Sequence, residues 1–137
     1  MNRALPLAAL LALGLAGCGG DSGDGMGPSP QGVTLLDVQT QVLTPRCAIS
    51  GCHVGSGAPF GLDMSSVSAS SANLIDVASA EMPALMRVHP GDAAGSYLYM
   101  KVSGDPSILG DPMPASGGAL SDGDIDLIAR WIDGGAE

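Results

Sequence analysis

The sequence predicts a small all-α domain, short helices joined by long loops, held behind an exported leader. Two segments carry apolar residues at helical spacing: Leu35, Val38 and Val42 near the start, and Ile125, Ile128 and Ile132 at the end. No stretch alternates apolar and polar residues over the length of a strand, and no segment repeats. Between the helical segments lie glycine- and proline-rich runs, the longest being residues 104–120.

Residues 1–17 have a basic start at Arg3, an apolar core from Leu5 to Leu15, and then small residues. That is the layout of a secretory signal, and it is shorter than a spanning helix of about 20 residues. The junction Leu15-Ala16-Gly17-Cys18 resembles the bacterial lipobox, which implies lipidation of Cys18 as the first mature residue. Several acyl chains on one residue anchor stably, where a single chain binds only marginally. Gly19, in place of the aspartate of inner-membrane retention signals, points by the same resemblance to the outer membrane. The expected location is therefore the cell envelope, facing the periplasm or the exterior. Residues 18–32 have almost nothing to bury and form a flexible tether. Residues 33–137 form the folded domain.

The first helix is expected over Leu35 to Leu43. Thr34 with Asp37 gives a capping pattern, Leu36 and Leu43 flank the stripe, and Pro45 stops the helix. The chain then enters Cys47-Ala48-Ile49-Ser50-Gly51-Cys52-His53. Lipidation of Cys18 leaves Cys47 and Cys52 as a pair, joined as a disulfide in an oxidising compartment or each bonded to a cofactor. Cysteines five apart on a regular helix would diverge by about 140°. The segment must therefore bulge as a loop, with Ser50-Gly51 supplying the freedom.

After His53, residues 54–61 form a glycine-rich loop. A helix should open near Ser65 and run through Leu74, Ile75 and Val77, and another should run from about Ala93 to Val102. In the 104–120 loop Met113 stands between two prolines, which pre-aim its thioether. Ser121 caps the last helix, Asp122 and Asp124 occupy its positively polarised first turn, Trp131 packs beside the stripe as core, and Gly134 closes it.

Taken together, these features resemble the class I c-type cytochromes: a helix leading into a thiol–thiol–histidine motif, a Met-Pro loop downstream, and a closing Trp-Ile-x-x-Gly-Ala helix. The likeness extends to Gly61-Leu62-Asp63, Pro90-Gly91-Asp92 and Ser96-Tyr97-Leu98, and spans essentially residues 35–136. The motif here is C-x4-C-H, two residues longer than the familiar C-x-x-C-H. The resemblance implies one covalent haem c held by Cys47 and Cys52, with His53 as proximal and Met113 as distal iron ligand. A porphyrin would also supply bulk to a core poor in aromatic residues. His89 and the sulfurs of Met64, Met82, Met86 and Met100 compete on paper for the sixth position. The resemblance puts His89 ahead of the Pro-Gly-Asp turn, and Met86 and Met100 fall at helical spacing as expected core.

A six-coordinate iron has no open position, so the implied role is one-electron transfer, with no catalytic residue and no small-molecule substrate. With Arg3 removed, four basic residues face fourteen acidic ones, a formal balance of −10. Such a surface disfavours nucleic acid and anionic lipid, and favours a redox protein with a basic docking patch. Two other classes stay open: a haem-free structural or binding lipoprotein with a Cys47–Cys52 disulfide, and a haem peroxidase or gas binder in which Met113 does not ligate. A zinc site is one ligand short of a closed tetrahedron.

Overall fold

The computed structural model describes residues 32–137. The expected signal segment, the expected lipidation site at Cys18 and all but the last residue of the expected tether lie outside the described residues. Four helices order the domain: α1 Leu35–Val38, α2 Val67–Leu74, α3 Tyr97–Ser103 and α4 Asp122–Asp133. Among the described residues there is no strand, only two isolated bridges, so the domain is all-α. None of these helices is long and apolar enough to cross a membrane.

Thr34 and Asp37 close a reciprocal capping box at the start of α1: the Asp37 amide donates to Thr34 Oγ1 at 3.3 Å and the Thr34 amide to Asp37 Oδ2 at 2.9 Å. Pro45 does not stop the helix as expected. From Gln39 the chain widens into a π-helical stretch that continues to Cys47, with Pro45 inside it. A proline lacks the N–H and its ring crowds the carbonyl four residues back, and the wider register of a π turn accommodates both. The register shows in the bond from the Ala48 amide to the Leu43 carbonyl (2.7 Å). Leu35, Val38, Val42 and Leu43 are buried, whereas Leu36 points to solvent at 62% exposure.

Helix α2 ends at Leu74, short of the expected Ile75 and Val77. Those residues pair instead with the segment before α3: the Asp76 amide donates to the Val88 carbonyl (3.0 Å) and the Arg87 amide to the Val77 carbonyl (2.7 Å). β-Branched residues suit this extended pairing, and it satisfies backbone groups that the short helix would leave open. Met86 lies in the same segment and is 37% exposed, while Met100 on α3 is half-buried, so neither is core as expected. Helix α3 begins at Tyr97 because the preceding residues form a turn. Buried Ser96 donates through Oγ to the Asp92 carbonyl (2.8 Å) and accepts from the His89 amide (2.8 Å).

Helix α4 follows its expectation, with Ser121 and Asp124 forming a second capping box and Gly134 at its C-cap. The left-handed residue that completes the turn is Gly135, φ 106°. Ile128, Trp131 and Ile132 are fully buried against α1 and α3, each contributing roughly 1.5–3 kcal/mol by burial. Trp131 Nε1 and the Leu35 amide both donate to the Glu137 carbonyl, at 3.1 and 2.6 Å, closing the chain end onto α1. This packed pair of terminal helices forms one wall of the domain. The Cys47 motif emerges from its edge.

Candidate functional site

Cys47 is the last residue of the π-helical stretch and is buried. The insertion between the cysteines bulges as expected: Gly51 is left-handed (φ 82°), the Cys52 amide donates to the Ile49 carbonyl (3.0 Å), and the His53 amide reaches back to the Cys47 carbonyl (3.2 Å). Both sulfurs are free thiols. Burial pushes the Cys47 thiol up to about 11 even though Arg46 beside it favours the thiolate. A neutral buried thiol is a poor partner for disulfide exchange and a poor metal ligand. Among the described residues no three His, Cys, Asp or Glu side chains gather as a metal cluster.

His53 is held by the loop that follows it. Its Nδ1 lies 3.1 Å from the Leu62 carbonyl. A carbonyl can only accept, so the proton sits on Nδ1 and the lone pair on Nε2. Burial also holds the imidazole below its ordinary pKa, and the bond to Leu62 offsets this only in part. Neutral imidazole with a fixed tautomer is the form that ligates a metal. The Gly61-Leu62-Asp63 stretch thereby acquires a task. Leu62 orients the ring, and Asp63 Oδ1 accepts the amides of Gly55 (3.0 Å) and Ser65 (2.9 Å), closing the loop. Below it, the Met64 amide donates to the His53 carbonyl (2.9 Å), and the Met64 carbonyl accepts from Gln39 Nε2 (2.9 Å).

Cys47, Cys52, His53 and Met113 all line one cleft of about 280 Å³. Its walls are largely apolar, supplied by Leu62, Met64, Leu74, Leu98 and Val102 among others. Met113 arrives from the 104–120 loop, which has no regular structure, with its amide donating to the Lys101 carbonyl (2.8 Å). Of the competing groups, Met82, Met86, Met100 and His89 stand outside the cleft lining. His89 is exposed, 4.0 Å from Asp76. Met64 does line the cleft, but it is bonded to His53 through the main chain and belongs to the histidine's side.

The sequence does not single out three further residues of this cleft: Arg46, Arg87 and Lys101. They are three of the four basic residues in the described domain, and Glu81 is the only acid beside them. Lys101 is buried and pairs with Glu81 at 2.8 Å. Burial pushes the Glu81 carboxyl up, but hydrogen bonds from Lys101 and Tyr97 outweigh it and hold the group below its ordinary pKa. Among the described residues neither Arg46 nor Arg87 has a carboxylate partner. Arg87 donates to the carbonyls of Asn73 (2.8 Å) and Phe60 (2.9 Å). In so acidic a chain, the scarcity of cations was the available signal. Their positions, far apart along the sequence, hid the convergence.

No protein-family model matches the chain, and no curated protein or solved structure shows significant similarity to it.

Proposed function

We propose that the chain is a membrane-tethered, single-haem c-type cytochrome, resembling the class I cytochromes, that carries one electron between redox partners in the cell envelope. The observation that carries this reading is the convergence of four residues on one apolar cleft: both thiols, an imidazole with Nε2 free of its proton, and the thioether of Met113.

The lining fits such a group. Apolar walls suit a porphyrin face, and a local excess of two positive charges suits acidic substituents at its edge. Cys47 and Cys52 would hold the haem through thioethers, His53 would ligate the iron through Nε2, and Met113 through sulfur. When bound, the haem supplies a one-electron couple, and histidine with methionine raises its potential relative to harder ligands. The chain's own contribution is positional. The Leu62 carbonyl keeps the proton on Nδ1, burial disfavours protonation of the ring, and the apolar walls exclude water. With His53 and Met113 both holding the iron there would be no open place for a substrate, so the reading is of a carrier and not an enzyme. The acidic surface favours a partner with a basic patch. Anchoring through Cys18 completes the proposal.

Intact mass and a pyridine haemochrome spectrum, taken after expression with haem-attachment machinery, test it together. The expected result is one haem per chain, held by thioethers, and low-spin iron in the reduced protein. Met113→Ala should retain the haem and convert the iron to a state that binds added ligands. Colourless protein with Cys47 and Cys52 oxidised to a disulfide would overturn the reading. Low-spin iron unchanged by Met113→Ala would remove Met113 as the ligand.

A further inference from the structure

The loop that delivers Met113 has almost no architecture of its own. Among the described residues, main-chain bonding within it is confined to its first limb, and residues 114–120 make no backbone–backbone hydrogen bond. A methionine sulfur is a weak neutral ligand. It stays on a metal only if its backbone is already held where the sulfur must be.

Two cations hold that backbone. On the near limb, Lys101 spends all three ammonium donors: on the carbonyls of Leu109 (2.7 Å) and Asp111 (3.0 Å) and on Glu81 Oε2 (2.8 Å). Its own carbonyl accepts the Met113 amide at 2.8 Å. The Tyr97 hydroxyl braces the same limb, accepting the Leu109 amide (3.1 Å) and donating to Glu81 (2.9 Å). On the far limb, Arg46 Nη2 lies within reach of three successive carbonyls: Gly117 (3.2 Å), Gly118 (2.8 Å) and Ala119 (3.3 Å). These are the only hydrogen bonds to residues 114–120 among the described residues. Gly117 and Gly118 both have positive φ, 77° and 81°, which lets three successive carbonyls face one guanidinium. Arg46 directly precedes Cys47, so the far limb is tied to the cysteine motif itself.

We propose that Lys101 and Arg46 are positioning residues for Met113, cationic clamps on either side of it that hold the 104–120 loop against the cleft. The inference rests on the haem reading given above. Neither residue is a ligand of the iron; each acts on the methionine through the loop.

The test is the affinity of the ferric protein for imidazole, which must displace the methionine to bind. Loss of a clamp lets the methionine leave more often, and the apparent dissociation constant falls in proportion to the open population. Arg46→Gln, at a half-buried position on the rim of the cleft and with both thioether cysteines intact, should keep the fold and the haem content and tighten imidazole binding by about tenfold. Arg46→Lys, which keeps the charge with a narrower reach, should restore part of the difference. Lys101→Met should tighten binding further. Tyr97→Phe, which keeps the packing, is the companion variant should Lys101→Met not fold. In a Met113→Ala background Arg46→Gln should lose that tenfold tightening, because no methionine remains to be held. Equal affinity in wild type and Arg46→Gln, or the same tightening in the Met113→Ala background, overturns the clamps while leaving the haem intact. A pigment-free wild type overturns the haem reading itself.

Discussion

Replacing Gln39 with leucine should cost more stability than any surface change of similar size, because Gln39 is a buried polar hub. It is 4% exposed, and its amide reaches three partners: it donates to Thr44 Oγ1 (3.0 Å) and to the Met64 carbonyl (2.9 Å), and accepts from Ser70 Oγ (2.6 Å). Ser70 and Met64 are themselves buried, so neither can turn to water when the amide is gone. A buried group left without a partner costs about 1–3 kcal/mol, and two such groups about 2–6 kcal/mol. A domain of this size has roughly 5–15 kcal/mol in total, so the loss is a large fraction. With a urea dependence of about 1–1.5 kcal/mol/M, the midpoint should fall by at least about 1.3 M. Thr40→Ala removes an exposed hydroxyl bond to the Leu36 carbonyl and serves as the control, with a shift within about 0.5 kcal/mol. Adding Ser70→Ala to Gln39→Leu should recover part of the loss, since one of the stranded groups is then removed. The consequence reaches the site, because the Met64 that Gln39 holds donates its amide to the His53 carbonyl. A Gln39→Leu midpoint no lower than that of Thr40→Ala would refute the reasoning.

Two further outcomes can be read on the chain made without haem. With its thiol pushed up to about 11, Cys47 in a Cys18→Ser/Cys52→Ser chain should alkylate slowly at neutral pH, its rate rising about tenfold per pH unit until the thiol ionises; a rate that levels off near pH 8 contradicts this. Asp37, Asp63, Asp105 and Glu81 are all held below their ordinary pKa values, so their contribution is present above the unfolded values of 3.8–4.5 and is lost as pH falls below them. The urea midpoint should decline through that window, less steeply in Glu81→Gln, and an identical acid limb in the variant would deny Glu81 its share.

The parts of the fold that rest on local chemistry were legible. Thr34 with Asp37 and Ser121 with Asp124 are capping signals complete within four residues, and both boxes form. The isoleucine and tryptophan face of α4 is buried because a stripe of that width can only pack inward. The residues picked out around the cleft, Cys47, Cys52, His53 and Met113, do share one cavity. What stayed hidden depends on partners distant in sequence. Pro45 reads as a helix stop, yet the chain absorbs it in a wider turn whose Gln39 is anchored by Met64 and Ser70, both far downstream. Ile75 and Val77 leave the helical pattern because residues 86–88 offer backbone partners, which periodicity does not reveal. Lys101 looks like an ordinary surface lysine on an amphipathic helix until Glu81 and the 109–111 carbonyls enclose it.

Under the proposed haem reading, the placement of charge around the cleft acquires a use. A chain with fourteen acids and five basic residues could neutralise its few cations easily on the surface, as Arg130 does with Asp126 at 2.8 Å. Among the described residues, Arg46 and Arg87 are instead set at an apolar cleft and hydrogen-bond only to carbonyl oxygens. Carbonyls satisfy the donors but leave the charges standing, and apolar surroundings make standing charges costly. An apolar ligand carrying acidic groups would relieve both terms together, covering the hydrocarbon walls and offsetting the guanidinium charges. Lys101 is already neutralised by Glu81, so the charge left to be met is that of the two arginines. On the haem reading proposed above, the two arginines would stand beside the acidic substituents at the porphyrin's edge. Arg46→Gln and Arg87→Gln then separate two duties, since Arg46 alone also bonds the loop after Met113.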